Sequence, residues 1–362
     1  MRRLPNNLRN CVLSLGMVIV ISGWAGCPVV RGQSSDVVHP LSGQEITDAQ
    51  RLAVERGLEA LSRRQTRDGG FGESMGKNVA ITSICAMAFM QGGNLPGRGK
   101  YGPQVEKALN FVLNSAQESG LIAADMVSPP MYGHGFATLF LAEVYGMTGD
   151  ERVKEKLQKA VKLIQKSQNE QGGWRYQPAP IDADISVTIC QIMALRAARD
   201  AGIKVEKEVI DKAIQYVRRC QNADGGFSYQ LNQSGFGGGS GFARSGAGLS
   251  SLYYAGISEG KEIEKGLAYL VRFTPGRGKG NAGAEGNYFY GHYYAVQAMY
   301  LAGGKYWTDW YPAIRDELIA RQGRNGMWSG DNTEEYATGM ALLILQMPNR
   351  YLPVYSGKGP GS

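Results

Sequence analysis

Cysteine and histidine are scarce in this chain, which has five cysteines and three histidines among 362 residues. Cys11 and Cys27 lie near the N-terminus, and Cys85, Cys190 and Cys220 are scattered over the rest. An odd, dispersed set excludes a disulfide framework. Cys85 and Cys190 sit in apolar runs and read as small core residues. A second long charge-free stretch is also missing: beyond Cys11 to Gly26, no segment could span a bilayer.

That single run follows Arg2, Arg3 and Arg9 and precedes Cys27-Pro28. A basic flank and an apolar core of this length predict a signal peptide, residues 1–32, cut after Ala25 or Gly32. Ala25-Gly26-Cys27 also offers the small residues of a lipid-attachment site, which makes Cys27 a candidate anchor. The chain is therefore expected to be exported, to a periplasm or the exterior. Residues 1–32 hold four arginines and no acid, so their removal lowers the net charge from +7 to +3. No basic nucleic-acid footprint remains. Gly237-Gly238-Gly239-Ser240-Gly241 has no strand before it, so a dinucleotide site fails as a reading and no cofactor is implied.

What the chain does have is a repeated phrase. Gln65-Thr66-Arg67-Asp68-Gly69-Gly70-Phe71 returns as Gln168-Asn169-Glu170-Gln171-Gly172-Gly173-Trp174 and as Gln221-Asn222-Ala223-Asp224-Gly225-Gly226-Phe227. A worn copy starts at Gln322, and degenerate copies stand at Gln117 and Phe273. Six anchors near 65, 117, 168, 221, 273 and 322 give one fixed period, the signature of a repeat architecture.

An amphipathic helical pattern precedes each anchor, and the glycines end it. A nearly all-apolar segment follows, as in Ile81 to Met90 or Phe136 to Tyr145, and such a helix is buried. Six outer and six inner helices in strict alternation predict an all-α fold. The expected form is an (α/α)6 toroid over residues 33–352 around a central cavity, with a flexible tail at 353–362.

The phrase resembles the QW repeat of the terpenoid cyclase and protein prenyltransferase superfamily. The likeness covers nearly the whole chain after the leader, and it is specific for the fold and weak for the activity. Its glutamine and aromatic residues are expected to tie neighbouring helices together. Class II terpene cyclases protonate an alkene or epoxide with an Asp-x-Asp-Asp motif. Asp182-Ala183-Asp184-Ile185 is similar, although its last position is Ile185. The resemblance thus implies Asp184 as proton donor and Asp182 as its supporting carboxylate. The Asp-x-Cys zinc motif of protein prenyltransferases is absent, so no metal site is expected.

Aligning the inner helices on Thr82, Thr138, Thr188 and Thr338 places Asn78, His134, Asp184, Arg244, His292 and Glu334 in one column, four residues earlier. In a closed toroid this column forms a polar ring at one rim. Asn78 and Asp184 are also good helix caps. Histidine and arginine are poor caps and sit against the positive end of a helix dipole, which points to a ligand. His134 and His292 share the context Tyr-Gly-His and are candidate proton acceptors. Asn78, Arg244 and Glu334 are candidate ligand contacts. Tyr293, Tyr294 and Tyr336, with Tyr253, Tyr254 and Tyr300, are expected to give the cavity an aromatic lining, though tyrosine there also serves ordinary packing. The loops Ser234 to Ser245 and Phe273 to Asn287 are long enough to cover the mouth.

The expected lining predicts an apolar small-molecule or lipid ligand, and the resemblance implies an isoprenoid-like one with acid chemistry from Asp184. The alternatives are a non-catalytic binding protein or scaffold with a protein partner, and a carbohydrate-active toroid using Asp184 and Glu334 as its acid pair.

Overall fold

The computed structural model describes residues 45–72, 78–124, 129–231, 238–277 and 286–355. The leader and Cys27 lie outside these residues, as do 232–237 and 278–285 of the two long loops. Among the described residues there are twelve α-helices. The outer ones are α1 (Asp48–Ser62), α3 (Gly102–Asn114), α5 (Glu151–Lys166), α7 (Lys207–Arg219), α9 (Lys261–Leu270) and α11 (Gly304–Arg321). The inner ones are α2 (Val79–Gln91), α4 (Pro130–Thr148), α6 (Ile185–Asp200), α8 (Phe242–Tyr254), α10 (Tyr288–Ala302) and α12 (Glu334–Leu345).

Each inner helix packs on the next, and α12 packs back on α2, so the inner ring is closed. The inner helices are buried nearly all round. In α5 and α7, by contrast, the buried residues form one stripe: Val153, Leu157, Ala160, Val161 and Ile164 in α5, and Ala213, Ile214, Tyr216 and Val217 in α7. No helix among the described residues is long and apolar enough to cross a membrane.

The repeat phrase has a single mechanical job. The Gln168 amide donates to Gly172 O at 2.9 Å within its own turn and to Val209 O of α7 at 2.8 Å. Gln65 does the same with Gly69 O and with Gln104 O of α3, and Gln221 with Gly225 O and with Glu262 O of α9. Gln322 reaches its own Gly326 O and Ala53 O of α1, so the last clamp closes the outer ring on its first member. The glycine of each turn, such as Gly172 with φ +97, lies so close to the next outer helix that a Cβ would stand 2.2 Å from Lys212 O. Only glycine meets both the left-handed backbone and that approach.

The structure moves two boundaries. In the second repeat the turn is closed by Gln117 N–H donating to Leu121 O, one residue earlier than its counterparts, and Gly120 holds the position of Gly172. The structural anchor there is Ala116, not Gln117. At the C-terminus the body continues past 352. Pro353–Tyr355 is a 3₁₀ turn with Val354 and Tyr355 buried, so an independent tail could begin only after Tyr355.

Candidate functional site

At the N-terminal ends of the inner helices a cavity of about 570 Å³ opens, to which all six contribute. That volume suits a drug-sized ligand. Its walls differ. Val79, Ala80, Ile81 and Ile84 of α2, with Ala123, Ala124, Pro129, Pro130 and Phe136, form an apolar side. The rest of the lining includes Tyr176, Ser186, Tyr229, Arg244, Asn287, Tyr290 and Asn332, with Asn78, Tyr132 and Tyr336. Among the described residues, Arg244 is the sole charged member of the lining and no carboxylate takes part.

Of the six residues expected to ring the mouth, only Asn78 and Arg244 line this cavity. Asn78 is also the N-cap of α2, its side chain accepting Ile81 N–H at 3.0 Å. Arg244 donates from Nε to Gly239 O at 3.1 Å. His134 is fully buried and turned away from the axis. Its Nδ1 accepts Ile122 N–H at 3.1 Å, and its Nε2 faces Ala160 O at 3.3 Å. That is the task Thr82, Thr188, Ser245 and Thr338 perform for Phe71, Trp174, Phe227 and Trp328. His134 is therefore the counterpart of Thr82, and the alignment placed it one helical turn out of register. Residues four apart share a helix face, so such a slip leaves the periodicity intact.

His292, likewise the fifth residue of its helix, is buried among Phe242, Tyr288 and Trp310, with ring centroids 4.8, 4.4 and 6.1 Å away. Burial pulls the His134 pKa down to about 4 and, with Arg321 nearby, that of His292 to about 3, so both rings are neutral. Neither can take a proton from a ligand in the cavity, because neither lines it.

Asp184 caps α6, with Oδ1 accepting Val187 N–H at 2.8 Å. Its Oδ2 lies 3.5 Å from Arg175 Nε, with the Tyr229 hydroxyl close by. Burial raises its pKa to about 6, against the opposing pull of Val187 N–H, the Tyr229 hydroxyl and the Arg175 charge. Asp182 forms an ion pair with Arg175, whose guanidinium lies 4.8 Å from the centre of the Tyr176 ring. Tyr176 and Tyr229 share a hydrogen bond of 2.7 Å between their hydroxyls, and both line the cavity. These two tyrosines screen Asp184 from the open space.

Glu334 pairs with Arg64 at 3.0 Å, and neither it nor Asp184 lines the cavity, so this expected acid pair is not assembled there. Tyr293 and Tyr294 are wholly buried. The Tyr293 hydroxyl meets that of Tyr355 at 2.9 Å, and the Tyr294 hydroxyl meets Cys190 Sγ at 3.4 Å. Tyr253, Tyr254 and Tyr300 are likewise buried and absent from the lining, so of the expected tyrosines only Tyr336 reaches the cavity. The aromatic lining comes instead from Tyr132, Tyr176, Tyr229 and Tyr290. Two of these were visible as the Tyr-Gln extension that the third and fourth phrases share, Trp174-Arg175-Tyr176-Gln177 and Phe227-Ser228-Tyr229-Gln230. The other two stand two residues before each histidine, on the opposite helix face. Among the described residues no group of three His, Cys, Asp or Glu side chains could hold a metal ion.

The sequence pattern of the prenyltransferase alpha-alpha toroid domain matches residues 35–121, and that of the squalene-hopene cyclase C-terminal domain matches residues 125–284. The chain belongs to the terpenoid cyclase and protein prenyltransferase superfamily. Solved members and neighbours share the toroid at low identity. The type II terpene cyclase MstE from Scytonema superposes with a TM-score of 0.57 at 13% identity, covering 84% of this chain and 100% of that one. An alpha-1,6-mannanase, GH76A of Salegentibacter, gives 0.64 at 11% identity with the same coverages. A protein from Actinoplanes gives 0.58 at 16%, covering 85% and 99%. At such identities the likeness is one of fold alone. No curated protein matches the sequence significantly. In this toroid Asp184 caps α6 and Asp182 pairs with Arg175.

Proposed function

We propose that this exported terpenoid-cyclase-like toroid binds an isoprenoid-like amphipathic ligand in its rim cavity. The observation that carries this reading is the composition of the lining, with apolar residues of α2 and α4 and a few polar groups. A chain of hydrocarbon would lie against α2 and α4, and an anionic or hydrogen-bonding head would meet Arg244, Asn287, Asn332 and the tyrosine hydroxyls. Burying apolar chain surface supplies about 0.8 kcal/mol per CH₂, and the few convergent polar groups set the orientation. MstE, which shares the fold, has been solved with geranylgeranyl dihydroxybenzoate as substrate, a molecule of this two-part build.

Titrating the purified protein with farnesyl diphosphate tests the proposal. Saturable binding is expected, and Arg244→Ala should weaken it about 10- to 100-fold, since a hydrogen bond to a charged group is worth about 1.5–3 kcal/mol. Unchanged affinity in that variant would remove the head-group role of Arg244, and no binding by the wild type would remove the reading.

One observation favours a catalytic version. Asp184 keeps a proton up to about pH 6, with the Tyr229–Tyr176 hydroxyl pair between it and the cavity. A proton could pass along that pair to a bound alkene. Asp184→Asn retains the cap to Val187 N–H, so it should abolish turnover of a bound polyprene while leaving the melting temperature within a few degrees. Turnover that survives the substitution assigns Asp184 to capping alone.

A further inference from the structure

The mouth cavity does not run the length of the toroid, because the chain's own C-terminal segment enters the axis from the opposite end. After α12 the backbone crosses the end of α2, where Asn349 Nδ2 donates to Gln91 O and Leu352 N–H donates to Gln91 Oε1, both at 2.9 Å. It then turns inward against α4 and α6. Val354 N–H donates to the buried carboxyl of Glu143 on α4 at 3.2 Å. Tyr355 ends fully buried, its hydroxyl 2.9 Å from that of Tyr293 on α10.

Tyr293 is also the link to the ligand cavity. Its ring centroid is 6.3 Å from that of Phe136, which forms part of the cavity wall. A layer of two rings, Phe136 and Tyr293, thus links the cavity wall to the inserted Tyr355. We infer that Tyr355 is a length-determining stopper: its side chain, acting through Tyr293, sets how long a hydrocarbon chain the cavity can accept. This rests on the proposed ligand class and adds a residue that lies outside the cavity itself.

The tyrosine pair holds this layer in place. With Tyr355 present, the Tyr293 hydroxyl has a buried partner, and leaving the axis position would cost that hydrogen bond without access to water. Removing the Tyr355 ring empties space of aromatic size beside Tyr293 and takes away its hydroxyl partner at 2.9 Å. Both changes favour a rotamer that swings Tyr293 out of the layer and joins the two spaces. Each additional isoprene unit could then bury several CH₂ groups.

The test compares full-length wild type and Tyr355→Ala in binding farnesyl, geranylgeranyl and hexaprenyl diphosphate. The wild type should favour the shorter chains, and the variant should shift the ratio of affinities toward hexaprenyl diphosphate by about tenfold or more. An unchanged ratio in a folded variant would overturn the stopper while leaving the ligand reading intact. A wild type that binds none of the three would overturn the ligand reading instead. The stopper then still faces a ligand-free measurement, the crystal structure of the variant. That structure should show the mouth cavity continuous with the vacated axis, and an unmoved Tyr293 sealing off a separate void would sink the inference. Should Tyr355→Ala fail to fold, Tyr355→Leu removes the hydroxyl and part of the ring and should give the same shift in smaller degree.

Discussion

Unfolding free energy should rise as the pH falls from about 8 to 6.5 and then level off toward about pH 4, where two buried histidines and two buried carboxyls act in opposite directions. His134 and His292 are buried and neutral, with pKa values pulled down to about 4 and about 3. In the unfolded chain each titrates near about 6.5. Below that value the unfolded chain binds protons that the native chain refuses, so stability is lost as the pH drops toward the folded values. Each histidine contributes a loss on the order of several kcal/mol by about pH 4. For His134 burial is the main cause, and the bonding at Nδ1 also disfavours a second proton. Its Nδ1 accepts Ile122 N–H, and a proton there would set donor against donor.

Two carboxyls work in the other direction. Burial raises Glu143 to about 8 and Asp184 to about 6. The native state takes up their protons before the unfolded chain does, so each adds stability as the pH falls through its folded value toward its unfolded one. Between about pH 8 and 6.5 only this gain operates, and below 6.5 the two histidines oppose it. The sharpest check is urea denaturation from pH 4 to 9 on wild type and His134→Thr. Threonine is the residue that does the same job in three other repeats. Relative to wild type, the variant should gain stability as the pH drops from about 6.5 to 4, whatever its stability at neutral pH. A difference that stays constant over that range would place the proton linkage elsewhere.

Trp174→Ala should destabilise the protein by about 3–5 kcal/mol, the usual cost of emptying a large buried aromatic site. The ring is 1% exposed, and its Nε1 donates to Ile164 O at 2.7 Å, pinning the turn to the end of α5. Its backbone N–H is held by Thr188 of α6 and its carbonyl by Asp184 N–H. The residue thus joins an outer helix, a turn and an inner helix. Trp174→Phe should cost less, since most of the apolar contact survives and the Ile164 carbonyl loses one donor. Chemical denaturation gives the values, and the affinity of the remaining folded protein for farnesyl diphosphate should stay close to wild type. A loss below about 1 kcal/mol for the alanine variant would contradict the tie between layers.

The clamps were legible before any coordinates because they are local in sequence and repeat. Gln168 and Gly172 are four residues apart in one turn, and the same pair recurs at 65, 221 and 322. The site was legible only in part. Asn78 and Arg244 were found because residues just before or within the first turn of an inner helix lie at the rim. His134 and His292 were misplaced by one turn, and the shared Tyr-Gly-His context pointed to the wrong member of each pair. Tyr132 and Tyr290 face the cavity, and the histidines face the other way because two residues on a helix are separated by roughly 200°.

By itself the sequence determined the repeat, the alternation of half-buried and fully buried helices, and the superfamily. All three follow from short-range spacing and from hydrophobic burial, which periodicity records directly. Tertiary structure alone decided which face of each inner helix looks inward, that Asp184 is screened by Tyr229 and Tyr176, and that Tyr355 fills the axis beside Tyr293. Those outcomes depend on contacts between residues 45 to more than 200 positions apart, such as Val354 with Glu143 at a separation of 211. No local pattern encodes which of two equally spaced side chains such a partner will meet.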